Sequence, residues 1–297
     1  MPELPDINLY VEHLERRLAG ATLQAVRVRG PNLVRTIDPP LDDAHGRTVT
    51  GARRLGKRVV LALSGGRFLV LHLIIAGRLH WRDAPLAPPG RAPLAAFAFD
   101  RGTLTLTEAA TRQRASLHLV AGEAALAALD PGGLEVLGAD LASFTRALVR
   151  EDHTLKRALT DPRLFSGIGN AYSDEILHRA RLSPLARTPR LGAGEVARLF
   201  DAVRATLAEW TERLRAETGA AFPEKVTAFR DGMAVHGRFG EPCPDCGAPV
   251  QRIRYAEHET NYCDRCQTGG RRLADRALSR LLGRDWLRTL EELEEGG

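Results

Sequence analysis

Two Cys-x-x-Cys knuckles, Cys243-Pro-Asp-Cys246 and Cys263-Asp-Arg-Cys266, constrain this chain more than any other feature. Each knuckle puts two thiolates on one side of a tight turn. Two knuckles facing each other make the tetrahedral four-sulfur shell that suits one Zn²⁺ per chain. With four protein ligands no coordination position remains for water, so the metal is expected to be structural. The chain has four cysteines, all of them in these knuckles. In a reducing compartment that clustering favours metal over disulfides. The stretch between the knuckles is expected to form a β-hairpin over 248–262.

The rest of the chain falls into regions of different texture. Its 297 residues allow two domains, and 44% hydrophobic content allows real cores. Up to residue 130 a mostly β domain is expected, opened by a helix over 6–18 with Ile7, Val11, Leu14 and Leu18 on one face. Strand-like runs follow at 22–29, 58–63, 67–74 and 94–108, with turns at Gly65-Gly66 and Arg101-Gly102. A proline-rich loop lies at 84–93 and a linker at 128–140. A helical domain is expected over 141–234, where Val196, Leu199, Phe200, Val203, Leu207, Trp210 and Leu214 form a core stripe. The zinc finger takes 235–270, and a Leu-rich helical extension takes 271–297.

Charge and termini narrow the function classes. Lys plus Arg number 42 and Asp plus Glu 37, a net charge of +5, which hints weakly at a polyanionic partner. No apolar run approaches the roughly 20 residues needed to span a bilayer. The start, MPELPD, is acidic and proline-rich, unlike a signal peptide, so no membrane partner and a cytoplasmic, nucleoid-associated location are expected.

Two segments carry candidate chemistry. Gly167-Ile168-Gly169-Asn170 precedes an amphipathic helix containing Ile176 and Leu177. Glycines there let the backbone approach a ligand, and a helix start offers free N–H groups to a phosphate. Asn170 and Lys156 could add an amide and a cation; equally, Asn170 could simply cap the helix. At the chain start, removal of Met1 would leave Pro2 with a secondary α-amine of intrinsic pKa near 8. Such an amine can attack a sugar C1′, and the adjacent Glu3 can move protons. Read alone, MPELP is also an ordinary helix-leading segment.

The conjunction changes that balance. MPELPD, LGK at 55–57, HLIIAG at 72–77, SGIGNAYSDE at 166–175 and VHGRFGEPC…YCDRCQ at 235–267 stand in one order. Together they resemble the formamidopyrimidine-DNA glycosylase/endonuclease VIII family over residues 1–267, and the start is closer to the former branch. The resemblance implies a two-lobed α+β protein: an N-terminal β-sandwich with an initial helix, a helix–two-turn–helix domain and a C-terminal zinc finger. It implies a monomeric bifunctional glycosylase/AP lyase of base-excision repair, acting on damaged double-stranded DNA and favouring oxidised purines. By motif, Pro2 would be the nucleophile and Glu3 the general acid/base. Lys57, in the basic run Arg53-Arg54-Leu-Gly-Lys57-Arg58, would join them as a catalytic residue by meeting phosphate near the lesion, and Lys156 and Asn170 would bind DNA phosphates. Ile75 would fill the void left by a flipped nucleotide.

Departures from the family pattern set the alternatives. His258 stands where the family's hairpin arginine does, which would make that contact pH-dependent, unless Arg254 substitutes. The void-filling Arg–Phe pair is replaced by TEAATRQRASL at 107–117, which offers Arg112 and Arg114 without an aromatic. Asp6 stands where members commonly have Glu. These departures motivate a second reading, a non-catalytic or altered-specificity lesion binder on the same scaffold. Retention of Pro2, Glu3 and Lys57 speaks against it. A zinc-ribbon regulator unrelated to repair would account for the cysteines but not the N-terminus.

Overall fold

The computed structural model describes residues 1–29, 31–84, 93–110, 112–224, 226–227, 229–255 and 258–273, with backbone alone for Pro31, Tyr255 and His258. The proline-rich loop at 84–93 and the tail helix expected within 271–297 lie almost wholly outside these residues. The chain forms two compact units. One is Met1–Pro131 with Glu209–Thr227; the other is Gly132–Ala208 with the chain from Ala228 on.

The first unit opens with α1 (Leu4–Leu18), whose buried stripe Ile7, Tyr10, Leu14 and Leu18 follows helical spacing. Two four-stranded antiparallel sheets follow. The first has order β1 (Leu23–Val28), β6 (Ala95–Phe99), β7 (Gly102–Glu108), β5 (Gly77–Arg82). The second has order β2 (Val49–Leu55), β3 (Arg58–Leu63), β4 (Arg67–His72), β8 (Ser116–Ala121). Alternation puts Val59, Leu61, Leu69, Leu71, Leu117 and Leu119 of one sheet into the same core as Leu79, Phe97, Leu104 and Leu106 of the other. Each such side chain contributes roughly 1.5–3 kcal/mol when fully buried. The opposite face of the second sheet packs Val60, Phe68, Val70 and Val120 around Leu126 of α2 (Gly122–Ala127).

The expected strands all form, but β2, β5 and β8 were not among them. Each is only six or seven residues long and interleaves Arg, His, Ser or Gly with its apolar residues. Such half-polar runs become strands because their neighbours supply ladder partners. Within α6 (Ala193–Thr218), from Glu209 on, the chain returns to this unit. Phe222 packs against Tyr10 with ring centroids 5.8 Å apart, and Val226 joins the core.

The second unit contains α3 (Leu141–Val149), α4 (Leu155–Thr160), α5 (Asn170–Ala180) and the first part of α6. All seven residues of the α6 stripe expected from periodicity are buried. The hairpin β9 (Gln251–Tyr255) and β10 (His258–Tyr262) follows, then α7 (Asp264–Thr268).

Candidate functional site

At the chain start, Glu3 is the N-cap of α1 and is only 1% exposed. Its backbone N–H donates to Asp6 Oδ2 at 2.9 Å, one half of a reciprocal capping box. The shorter Asp6 therefore works as a cap that fixes where Glu3 points. Pro2 is buried. The amine at the chain start, on Met1, is held below its ordinary value, chiefly by burial, with Arg78 and Lys57 adding in the same direction and Glu3 and Asp6 opposing. Burial favours the neutral, nucleophilic form of an amine.

Lys57 sits in the β2–β3 turn with Gly56. Arg54 docks that turn: its Nη1 donates to the Gly56 carbonyl at 2.8 Å and its Nε to Asn8 Oδ1 of α1 at 3.1 Å. The basic run read from the sequence is thus divided. Arg53 points to the other face, where its guanidinium lies 5.2 Å from the Phe68 ring centroid and pairs with Glu123. Beside Lys57, His72 is pushed down to about 4 by burial, then by Arg58, Lys57 and His118. An unfolded chain therefore takes up that proton first as pH falls. The contribution is complete above the ordinary value of 6.5 and is lost as pH drops toward 4. His72→Gln is expected to flatten the acid loss of stability by about 2 kcal/mol, read by urea unfolding at neutral and mildly acid pH. Equal acid losses in both proteins would mean that His72 is not held neutral.

Ile75 projects from the β4–β5 connection and is 48% exposed. The turn behind it is tight: Ile74 has φ 53°, a strained value for a β-branched residue. A Cβ on Gly77 would lie 2.4 Å from the Leu73 carbonyl, so only glycine fits there. Arg78 Nη1 donates to the carbonyls of Ile75 at 3.2 Å and Gly77 at 2.7 Å, bracing the turn. Arg112 and Arg114 are exposed on the connection after β7, which the buried Glu108 shapes by accepting from the N–H groups of Arg114 and Ala115.

In the second unit, Gly169 precedes α5 without a side-chain cap, and Gly167 has φ 81°. Asn170 does not cap the helix; its Nδ2 donates to the Glu259 carbonyl of β10 at 2.9 Å. Lys156 reaches the same helix start, with Nζ donating to the Asn170 carbonyl at 2.7 Å and to Asp174 Oδ1 at 2.6 Å. Sequence reasoning missed the next layer. Asp174 is fully buried and its other oxygen lies 2.8 Å from Nδ1 of His236, whose ring stacks on Phe229. The Glu175 carboxylate accepts from the backbone N–H groups of Ala234, Val235 and His236 at 2.7–2.9 Å. The readable signal was an acidic pair inside an amphipathic helix, since buried carboxylates are rarely left without partners.

The four cysteine sulfurs lie within 4.8 Å of one another. Separations of 3.9 Å for Cys243–Cys266 and 3.4 Å for Cys246–Cys263 fit the edges of a tetrahedron with Zn–S bonds, about 3.8 Å. Burial pushes the thiols of Cys263 and Cys266 up, the latter to about 12, so a cation is needed to hold them as thiolates. His178 Nε2 lies 3.2 Å from Cys243 Sγ. Gln267 accepts from the Cys263 N–H and donates to the Leu182 carbonyl, tying the second knuckle to the end of α5. The side chain of His258 lies outside the described residues, while Arg254 is exposed on β9.

Three family descriptions match the chain in order. They are the formamidopyrimidine-DNA glycosylase N-terminal domain over residues 1–117, the formamidopyrimidine-DNA glycosylase H2TH domain over 133–219, and the zinc finger found in FPG and IleRS over 240–269. The chain is 36% identical over 281 residues to the formamidopyrimidine-DNA glycosylase of Heliobacterium modesticaldum, covering 90% of this chain and 100% of that protein. Its fold is similar to the MutM (Fpg) protein from Thermus thermophilus, with a TM-score of 0.76, 33% identity and coverage of 90% and 98%. It is similar as well to a MutM in complex with carbocyclic 8-oxo-G containing DNA, with a TM-score of 0.79, 25% identity and coverage of 90% and 100%. The cysteine geometry and the matching finger together give one structural zinc.

Proposed function

The chain belongs to the formamidopyrimidine-DNA glycosylase family, and from that premise we propose that Pro2, freed by removal of Met1, is its nucleophile and Glu3 its proton-transfer group. The chain is a DNA glycosylase with AP lyase activity directed at oxidised purines. In this reading it acts as a monomer in the cytoplasm on damaged double-stranded DNA and removes formamidopyrimidines and 8-oxoguanine. No helix among the described residues is long and apolar enough to cross a membrane.

The Pro2 nitrogen attacks C1′ of the flipped nucleotide, the glycosidic bond breaks, and the damaged base leaves with a proton. Glu3, fixed by the Asp6 cap, stands next to that amine and moves the protons of ring opening. A secondary amine then gives an iminium, which is cationic without further protonation. It acidifies the C2′ hydrogen, so that loss of this proton expels the 3′ phosphate. Water hydrolyses the iminium and restores the amine. Lys57 holds a phosphate near the lesion, Lys156 and Asn170 hold backbone phosphates, and Ile75 fills the void in the stack. Arg112 and Arg114 supply cations on the connection after β7.

The observation that carries this reading is the chain start itself: Pro2 is buried next to Glu3, whose backbone the Asp6 cap fixes, in surroundings that hold the Met1 amine below its ordinary value chiefly by burial. The test is borohydride trapping on a duplex with an abasic site, and on one with 8-oxoguanine. Covalent adducts with both, and strand cleavage without borohydride, are expected. Binding without any adduct would replace this reading with a non-catalytic lesion binder.

A further inference from the structure

The zinc-finger hairpin carries two cations and one anion among directly opposed residues. β9 and β10 are antiparallel, with Glu259 opposite Arg254 and Asn261 opposite Arg252. The Glu259 carboxylate lies 3.5 Å from Arg254 Nε and 3.7 Å from Arg252 Nη1. It also accepts a 2.9 Å hydrogen bond from Asn261 Nδ2. Asn261 is itself fixed: it is 2% exposed, and its Oδ1 accepts from the Gly237 N–H at 2.8 Å. The Arg252 guanidinium lies 3.9 Å from the Phe239 ring centroid, which restricts its directions further. Glu259 is also held by its backbone, since its carbonyl accepts from Asn170 Nδ2 at the start of α5.

An anion within 4 Å of two guanidiniums does what a phosphodiester does between paired arginines. We propose that Glu259 is an internal stand-in for a DNA phosphate, holding Arg252 and Arg254 in a phosphate-binding posture and surrendering them to the duplex. The inference rests on the glycosylase reading. The hairpin's phosphate contact is then made by the arginines of β9 rather than at position 258. Glu259 touches no reacting atom and is a positioning residue. Its ion pairs are long and partly exposed, hence weak, so breaking them is easy. The same carboxylate beside incoming DNA repels like charge, and this second effect is the larger. Glu259 therefore lowers affinity while keeping the two arginines aimed.

The measurement is fluorescence anisotropy with a duplex carrying a tetrahydrofuran abasic analogue, over a range of salt, for the wild-type chain, Glu259→Gln, Arg254→Gln and the double variant. Zinc content is measured for each. Glu259→Gln is expected to bind about five- to tenfold more tightly at low salt, with a salt slope steeper by about one phosphate contact. Arg254→Gln is expected to bind more weakly with a shallower slope. In that background the gain from Glu259→Gln shrinks, because one of the two released cations is gone. Equal or weaker binding by Glu259→Gln overturns the proposal, as does a gain undiminished in the Arg254→Gln background. Loss of zinc from Glu259→Gln also overturns it, by making the residue part of the hairpin's folding. If the wild-type chain shows no salt-dependent binding to this duplex, the glycosylase reading falls and takes the proposal with it.

Discussion

Pro2→Gly is expected to retain the fold and DNA binding while losing about a hundredfold or more in borohydride trapping and strand cleavage. Glycine keeps an α-amine, so the loss does not come from removing a nitrogen. It comes from what the ring supplies. The pyrrolidine fixes the backbone in the turn leading to α1, so the lone pair has one direction; glycine frees it. The secondary amine also yields a permanent iminium, whereas a primary amine yields an imine that must gain a proton before the C2′ hydrogen is acidified. Stability should change by less than about 1 kcal/mol, since Pro2 precedes the helix and the Glu3–Asp6 cap remains. The check is a time course of trapping for both proteins on one abasic duplex, with affinity measured in parallel. An unchanged rate would remove Pro2 from the chemistry and turn attention to Lys57. A fall in affinity matching the fall in rate would give Pro2 a binding role only.

The second large effect is expected from the metal. Cys263 is fully buried, its N–H is held by Gln267, and its sulfur lies 3.4 Å from that of Cys246. Cys263→Ser replaces a soft thiolate by a hydroxyl that binds zinc poorly. Structural zinc sites of this kind supply roughly 10–16 kcal/mol of apparent binding energy, which becomes folding energy of the finger. The apolar content around the site is small, with Val235, Ala248 and Val250 as the main partners of the cysteines. The second small cluster on the hairpin, Ile253 and Tyr262 with Leu273, adds little to this, so the metal is the main source of the hairpin's stability. The variant is expected to lose its zinc and to lose DNA affinity by about a hundredfold or more, because Arg252, Arg254 and the carbonyl that engages Asn170 all depend on the hairpin. Metal analysis, limited proteolysis between 235 and 270, and the same anisotropy assay report the three effects. Full zinc content with unaltered affinity would show that the metal is not held here.

Much of this was readable along the chain, and the reasons are local. Helical stripes such as Ile7–Leu14–Leu18 and Val196–Leu214 are set by period, and periodicity survives without knowing the partner face. The strands at 58–63 and 67–72 are rich in Val and Leu and flank a Gly-Gly turn. Two knuckles with the right spacing leave few alternatives to zinc. The half-polar strands β2, β5 and β8 were not readable, because their assignment depends on ladders with distant segments such as β3, β7 and β4.

By itself, then, the sequence determined the elements whose signal is carried within about twenty residues, the four zinc ligands, and a family pattern pointing to Pro2 and Glu3. The tertiary structure alone decided what each charge is for. Strand alternation sent Arg53 and Arg54 to opposite faces, so that only Arg54 braces the Lys57 turn. Asp174 and Glu175 became internal clamps because His236 and the backbone of 234–236 are delivered to them from sixty residues away. Asn170 turned from a cap into a strut, and Glu259 met Arg254 across a hairpin. Ionic and hydrogen-bonding roles depend on distance and burial, and both are properties of neighbours in space, which a linear order of residues does not contain.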